Sequence, residues 1–391
     1  MSFKEKVIIV GPAFPLRGGI ANFNEALCRE MVNEGVDVQL ISFSLQYPGF
    51  LFPGKTQFDQ GEKPKDISIH TKINSVNPFN WIKVARYIKS QRPGLVIIRY
   101  WLPFMGPCLG TIAKIIKRST SIKVIAITDN VIPHEKRAGD NILTRYFIRQ
   151  CDGFIAMSKA VLQELSIFTS TDKKVFLPHP IYNIFGNKVE KTISKQELKL
   201  DPSANYLLFF GFIRQYKGLD LILQAMADKR IKKLGIKLLV AGEYYEDPAP
   251  YEKIIQENEL TDAIILHTHY IASDMVKYYF CAADMIVQPY RSATQSGVTQ
   301  IAYNFERPML VTNTGGLPEI VPHGKVGYVT AIDAFAIADS IVDFYSNKRE
   351  QQFAENTVAE KQRFLWSSFV KGVHDLYFQL NPSQNESSHS T

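Results

Sequence analysis

The sequence predicts an α/β protein built from two doubly wound parallel sheets, and three observations carry that prediction. Short apolar runs alternate with helical patterns along the chain, the order of strand, crossover helix and next strand. At 391 residues the chain exceeds what one core ordinarily takes, and the alternation breaks once, in the charged stretch Phe185–Pro202, before it resumes at Tyr206. Finally, Met285–Val329 holds consecutive strand-loop-helix units whose loops are small, polar and rich in glycine. Ligands of such sheets bind outside the carboxyl ends of the strands, and two facing sheets would share a cleft.

In the first half, the apolar runs predict strands at Lys6–Val10, Val38–Phe43, Ser68–Ile73, Leu95–Tyr100, Lys123–Thr128, Gly153–Met157 and Lys174–Leu177. The helical patterns between them fit Gly19–Glu34, Pro78–Gln91, Gly106–Lys117, Ile142–Cys151 and Lys159–Phe168. Gln46–Lys65, rich in Pro, Gly and aromatics, reads as a long loop, and such loops usually carry function. The second half predicts strands at Tyr206–Ile213, Lys237–Ala241, Ala263–Leu266, Met285–Pro289 and Pro308–Thr312. Its helices fit Gly218–Ala227, Tyr251–Asn258, Asp274–Cys281 and Val298–Phe305, with a further helix start after Gly315-Gly316. One long aromatic helical region, Val358–Leu380, closes the chain. The expected domains are residues 1–185 and 186–365, with 366–380 a helix crossing back to the first domain and 381–391 a polar, disordered tail.

Composition narrows the class. Hydrophobic residues make up 46% and charged ones 21%, which is globular. A formal charge of +7 suits an acidic ligand or an anionic membrane surface. Cys28, Cys108, Cys151 and Cys281 lie far apart, so neither a disulfide framework nor a zinc site is implied and a reducing compartment is expected. The first apolar run leads straight into a glycine turn and reads as a strand rather than a signal peptide. No apolar run is long enough to cross a membrane as a helix, and the reading is a cytoplasmic protein. No basic stripe with interleaved aromatics suggests a nucleic-acid reader.

The loops carry the chemistry. Ser292-Ala293-Thr294-Gln295-Ser296-Gly297 offers hydroxyls and a glycine at the mouth of the helix beginning at Val298. Unpaired N–H groups and the positive end of the helix dipole suit a phosphate there. Asn313-Thr314-Gly315-Gly316 repeats the arrangement one strand later, so the pair suggests a nucleotide diphosphate. Between Gly211 and Gly218, Arg214 and Lys217 stand three residues apart: a guanidinium that can grip phosphate in bidentate fashion and a point charge beside it. Gly18-Gly19 opens the first helix and would let a ligand approach the backbone, although this loop lacks the spaced glycine fingerprint of dinucleotide sites. Glu319, one turn into its helix, caps that helix or accepts from sugar hydroxyls. Asp129, Asn130, His134 and Glu135 form a polar cluster at a strand's carboxyl end. Each feature also has a plain structural reading as a turn, a cap or a solvated face. No nucleophile-base-acid triad and no clustered metal ligands appear.

Taken together these residues resemble the family 4 (group 1) glycosyltransferases of the GT-B fold, over roughly residues 5–375. The resemblance rests on Gly18-Gly19, the Gly211-x-x-Arg214-x-x-Lys217-Gly218 segment, Val240-Ala241-Gly242-Glu243 and Ala283–Pro289. Pro308–Val311 leading to Gly315-Gly316-Leu317-Pro318-Glu319, and Gly324-x-x-Gly327, complete it. It implies transfer of a sugar from a nucleotide-diphosphate donor, with retention and without bound metal or other cofactor, to a glycan or lipid-linked acceptor in cell-surface polysaccharide or glycolipid assembly. The N-terminal domain would take the acceptor and the C-terminal one the donor. The resemblance makes Arg214, Lys217 and His134 catalytic, with the two cations stabilising the departing phosphate. Gly18, Gly19, Gly211, Glu243, Thr294, Gln295, Ser296, Gly297, Val298, Gly316 and Glu319 would bind the donor.

Two departures from the family pattern stand out. Its Glu-x7-Glu pair falls at Ala293 and Ile301, or at Thr294 and Ala302 on the alternative register, and neither register is acidic. Thr294, Gln295 or Gln300 would have to substitute. The family's His-Asn pair is Asp129-Asn130 here. The missing acids keep a catalytically silent scaffold in view, and His134 with Glu135 keeps a nucleotide-sugar epimerase. Lys83, Arg86, Lys89 and Arg92 beside Trp81, Ile82, Val84 and Ile88 read either as a solvated helix or as peripheral contact with the anionic inner face of a membrane.

Overall fold

A computed structural model describes residues 5–48, 58, 62–118, 121–133, 137–181, 184–293 and 296–382. By contacts the chain divides into two compact units. One takes in the residues up to Pro178 together with those from Trp366 onward, and the other is His179–Leu365.

The first unit runs β1 (Val7–Val10), α1 (Gly19–Asn33), β2 (Val38–Leu45), β3 (Ile69–Asn74), α2 (Pro78–Ser90), β4 (Leu95–Tyr100), α3 (Gly106–Lys117), β5 (Lys123–Thr128), α4 (Asp140–Ile148), β6 (Gly153–Ala156), α5 (Lys159–Phe168) and β7 (Lys174–Phe176). Its strands form one parallel sheet in the order β3-β2-β1-β4-β5-β6-β7. Strands such as Val-Ile-Ile-Val are apolar at every position because helices cover both faces. Ile8 and Val10 face the core under α2 and α3, while Val7 and Ile9 face the core under α1. Helix starts are written locally: Asn77 accepts from the N–H groups of Phe79 (3.0 Å) and Asn80 (3.2 Å), with Pro78 at the first helical position.

The second unit runs α6 (Lys191–Glu197), β8 (Tyr206–Phe210), α7 (Leu219–Met226), α8 (Lys229–Leu234), β9 (Lys237–Ala241), α9 (Ala249–Glu257), β10 (Ile264–His267), α10 (Val276–Ala282), β11 (Met285–Gln288), α11 (Gly297–Asn304), β12 (Met309–Thr312), α12 (Leu317–Ile320), β13 (Gly327–Thr330), α13 (Ala334–Ser346) and α14 (Glu350–Lys361). Its parallel sheet has the order β10-β9-β8-β11-β12-β13. The final helix, α15 (Trp366–Leu380), packs in the first unit, where Trp366 and Phe369 meet the Phe23 ring at 5.0 and 5.5 Å.

Several boundaries differ from the sequence reading. The expected strand Tyr206–Ile213 stops at Phe210, because Gly211 turns the backbone at φ +96°; Ile213 then makes only an isolated bridge to Tyr244. The expected junction at 185 falls instead after Pro178. The Ile181 N–H donates to the Phe364 carbonyl (2.9 Å), and Ile181 and Phe185 join the core of the second unit. The single helical region expected at Val358–Leu380 is two helices parted by a 3-10 turn, Gln362–Phe364, and an extended Leu365. Phe364 packs on Tyr303 with tilted rings (centres 4.5 Å apart) while Trp366 turns to Phe23, so the two aromatics serve different cores. Residues 49–57 and 59–61 of the long loop, and 383–391 of the tail, lie outside the described residues.

Candidate active site

In each sheet the strand order reverses once, between β1 and β4 in the first and between β8 and β11 in the second. Crevices at such reversals are where doubly wound sheets bind ligands. Of the predicted residues of the second unit that the structure describes, Gly211, Arg214 and Lys217 follow β8 and Ser296, Gly297 and Val298 follow β11, at the second reversal, whereas Glu243 follows β9 and Gly316 and Glu319 follow β12.

The loop after β8 is fixed from two sides. On the β9 side, the Ile213 N–H donates to the Glu243 carbonyl (2.8 Å), and Gly211 and Gly242 touch so closely that a Cβ on Gly242 would lie 2.4 Å from the Gly211 carbonyl oxygen. Glu243 thus serves through its backbone, with its side chain half-buried. The Gln215 N–H donates to the Glu246 carboxylate (2.8 Å). On the β11 side, the Arg291 N–H donates to the Tyr216 carbonyl (2.7 Å). The Arg291 guanidinium grips Asp220 in bidentate fashion (2.7 and 2.5 Å) and donates to the Gln215 carbonyl (3.1 Å). Gly218 (φ +70°) starts α7 hard against the Pro289 carbonyl.

This scaffold presents two cations differently. Arg214 is exposed, its guanidinium 4.9 Å from the Tyr245 ring centre. Lys217 is only 9% exposed; its ammonium lies 3.0 Å from where a Gly211 Cβ would be and 5.8 Å from the Tyr290 ring centre. A side chain at position 211 would crowd the ammonium, which gives that glycine a physical reason beyond its φ. Burial first, and the Arg214 charge second, push the Lys217 pKa down to about 8. A cation held this way gains most from a nearby anion.

One strand over, Ser296 caps α11: its hydroxyl accepts from the Val298 N–H (3.2 Å) and donates to the amide oxygen of Gln288 (2.7 Å), at the end of β11. Gly297 is exposed at the first helical position. The Thr312 hydroxyl donates to the Tyr290 carbonyl and the Thr314 hydroxyl to the Arg291 carbonyl (3.3 Å), tying the loop after β12 to the one after β11. Gly316 caps the short α12 in an ordinary right-handed conformation; among its neighbours it is Gly315 that needs φ +52°. Glu319, in the first turn of α12, gives its carbonyl to Arg363 (3.0 Å). Thr294 and Gln295 lie outside the described residues.

The missing acidic pair has a local explanation. Ile301 and Ala302 are buried in the apolar core beneath α11, with Ala293 packed against it. The neighbouring Gln300 is 2% exposed, and its amide has no hydrogen-bond partner among the described residues, nor has the amide nitrogen of Gln288. Buried polar groups are normally paired.

In the first unit, the loop after β1 is pinned from behind. Asn24 donates to the Pro12 carbonyl (2.8 Å), Ser42 exchanges hydrogen bonds with the Ala13 N–H (3.0 Å) and carbonyl (2.8 Å), and Glu25 accepts from the Phe14 N–H (2.9 Å). Gly18 (φ +117°) and Gly19 end that loop exposed, with no heavy atom near a would-be Cβ. Asp129 is bound in bidentate fashion by Arg99 (2.7 and 2.5 Å), which lies buried over the Phe23 ring. That commits Asp129 to an ion pair. His134 and Glu135 lie outside the described residues.

Sequence reasoning overlooked the Arg291–Asp220 clamp and the buried Gln288, Tyr290 and Gln300. The one visible signal was Arg291 at the head of the loop already singled out. Among the described residues no three His, Cys, Asp or Glu side chains are grouped to hold a metal ion, and no helix is long and apolar enough to cross a membrane.

Two family models match the chain: "Glycosyltransferase Family 4" over residues 17–180 and "Glycosyl transferases group 1" over residues 204–347. Among curated proteins, an uncharacterized glycosyltransferase of Methanocaldococcus jannaschii is 22% identical over 96% of this chain and 99% of its own length. N-acetyl-alpha-D-glucosaminyl L-malate synthase of Bacillus anthracis is 21% identical over 94% and 95%. D-inositol 3-phosphate glycosyltransferase of Segniliparus rotundus is 28% identical over 47% of this chain and only 42% of its own length. Of solved structures, a glycosyltransferase from Rickettsia africae aligns with TM-score 0.71 at 15% identity over 97% of this chain and 99% of that one. Sucrose-phosphate synthase from Thermosynechococcus elongatus gives 0.68 at 16% over 97% and 100%. Anabaena HepE in complex with UDP gives 0.66 at 14% over 99% and 100%.

Proposed function

The chain belongs to the family 4, group 1 glycosyltransferases and has their GT-B fold, and from that premise we propose that it transfers a sugar from a nucleotide-diphosphate donor, with retention, to a glycan or lipid-linked acceptor in cell-surface polysaccharide or glycolipid assembly. The observation that carries the reading is the buried Lys217 ammonium beside Arg214, on a loop clamped by Arg291 to the segment leading into α11. The donor diphosphate lies against these two cations and the exposed Gly297 end of α11, where the helix dipole favours an anion and Ser296 already holds the Val298 N–H. Ser296, Gly297 and Val298 form that end; Gly211, Glu243 and Gly316 shape the adjoining backbone; Thr294, Gln295 and Glu319 reach the sugar or ribose. Gln300, whose amide has no partner among the described residues, supplies hydrogen bonds where the family's second acid would.

In the transfer, the bond from the anomeric carbon to the donor phosphate breaks and the acceptor oxygen bonds to the same carbon on the same face. The acceptor's proton passes to the departing phosphate. Negative charge grows on that phosphate, and Arg214 and Lys217 stabilise it from fixed positions. His134 acts at the sugar, and Gly18 and Gly19 admit the ligand to the backbone of the first unit. In this reading no metal or other cofactor takes part beyond the nucleotide sugar.

The protein works in the cytoplasm, peripherally on the inner face of the membrane. Supporting this, α2, α3 and α4 pack side by side. Residues 78–92 carry Lys83, Arg86, Lys89 and Arg92, residues 106–118 carry Lys114, Lys117 and Arg118, and residues 140–152 carry Arg145 and Arg149, against Asp140 and Asp152 as the carboxylates of those spans. Phe79 and Ile142 stand 84% and 73% exposed in the same layer. Cations with protruding apolar groups suit an anionic lipid surface.

The test is thermal stabilisation by a panel of nucleoside diphosphates and nucleotide sugars in the presence of chelator, with UDP and its sugars first because the Anabaena protein was solved with UDP. A shift with one nucleotide family, enlarged by one sugar and lost in Arg214→Ala and Lys217→Ala, is expected. A flat response would favour the alternative raised by the apolar Ala293 and Ile301, a catalytically silent scaffold.

A further inference from the structure

The basic helical layer contains a discrete cavity that the donor chemistry does not use. It measures about 180 Å³ and lies between the edge strand β3 and α2, lined by Lys72, Asn80, Lys83, Val84 and Tyr87. The geometry points to a binding site for a phosphate monoester, and this inference rests on the reading of the layer as an anion-facing surface.

Three features support it. The walls are set in advance: Asn80 donates to the Lys72 carbonyl (3.0 Å) and accepts from the Asn74 N–H (2.8 Å), and the Trp81 indole donates to the Asn74 carbonyl (2.8 Å). The Lys72 ammonium is held 4.3 Å from the Tyr87 ring centre. Among the described residues no carboxylate is ion-paired to it or to the Lys83 ammonium. The adjoining His70, edge-on to Tyr87 at 6.1 Å, has its pKa lowered by burial and then by Lys72, Lys63 and Lys6. A monoester brings close to two negative charges and three acceptor oxygens, which two ammonium groups can match. The rest of the cavity, against Val84 and Tyr87, is apolar enough for the carbon stub that carries the ester.

The ester could belong to a lipid headgroup or to a soluble metabolite, and the experiment separates these. Binding is measured to phosphatidylcholine vesicles containing phosphatidate, to vesicles of matched surface charge containing phosphatidylglycerol, and to soluble glycerol 3-phosphate. Lys72→Met and Lys83→Met are compared with Lys114→Met, which removes the same charge from α3. The expected result is a preference for phosphatidate that each pocket variant weakens roughly tenfold, while phosphatidylglycerol binding falls no more than in Lys114→Met. Glycerol 3-phosphate binding that depends on Lys72 and Lys83, with no vesicle preference, would support the site and assign it to a soluble ester. If no probe depends on Lys72 and Lys83 more than on Lys114, the pocket inference is overturned. Vesicle binding that still falls with each lost charge would then leave the membrane contact standing, and unchanged nucleotide stabilisation would leave the donor reading standing.

Discussion

At the scale of single residues, Lys217 makes the sharpest prediction. Its pKa, about 8 in the folded chain, lies below the usual lysine value because burial disfavours the charge. A bound diphosphate favours the ammonium, so nucleotide affinity should fall as pH rises through about 8, and Lys217→Arg should remove that step. A flat affinity profile across that range would refute the assignment. The stability linkage has the opposite sign: between the folded pKa and the higher unfolded one the unfolded chain binds more protons, so this group's penalty on folding shrinks as pH rises. Gly218 makes a second prediction. Its left-handed φ and the Pro289 carbonyl oxygen, 2.0 Å from a would-be Cβ, oppose any side chain. Gly218→Ala should cost about 1–3 kcal/mol, read as a lower melting temperature, and an unchanged melting curve would refute the argument.

At the scale of elements, the loops after β8 and β11 act as one piece because Arg291 joins them. Arg291→Met should lower nucleotide affinity roughly tenfold through loss of the charge-assisted bonds to Asp220, with the melting temperature changed little. A melting temperature that collapses with the affinity would make Arg291 a folding residue instead. The same scale shows what the sequence could reveal. Strands such as Leu95–Tyr100 and Lys123–Thr128 were legible to the residue because both faces are buried and the runs are unbroken. β13 was not, since it opens on Gly327, and a glycine at the head of so short a run looks from sequence like a turn. Polar α14 has no apolar stripe to betray it, and α6 hides in the charged stretch read as a junction. In the candidate site, Arg214, Lys217 and the hydroxyl-rich loop before α11 could be singled out because their types and spacing are local, while the capping role of Ser296 appears only in the structure. The Arg291–Asp220 clamp and the Gln288–Ser296 bond depend on which strands become neighbours, and strand order is not written in any one segment.

At the scale of the whole molecule, the chain builds two sheets and returns at its end to complete the first. The reversal happens within a few residues: Phe364 belongs to the core of the second unit, whereas Trp366, Phe369, Val373 and Leu376 fill the core beneath α1 in the first. α15 is therefore an integral part of the first unit, despite its distance in sequence from β1. Phe369 is nearly buried, meeting Phe23 edge-on, and Phe369→Ala should remove about 3–5 kcal/mol from the first unit. Hydrogen exchange locates the effect. Amides of β1 and α1 should lose protection, while those of β8 to β12, which frame the proposed donor loops, should keep theirs, and the stabilisation of those strands by nucleotide should persist. Loss of protection spread evenly over both sheets would mean that the two units unfold as a single cooperative body, and the assignment of the Phe369 contribution to the first unit alone would have to be abandoned.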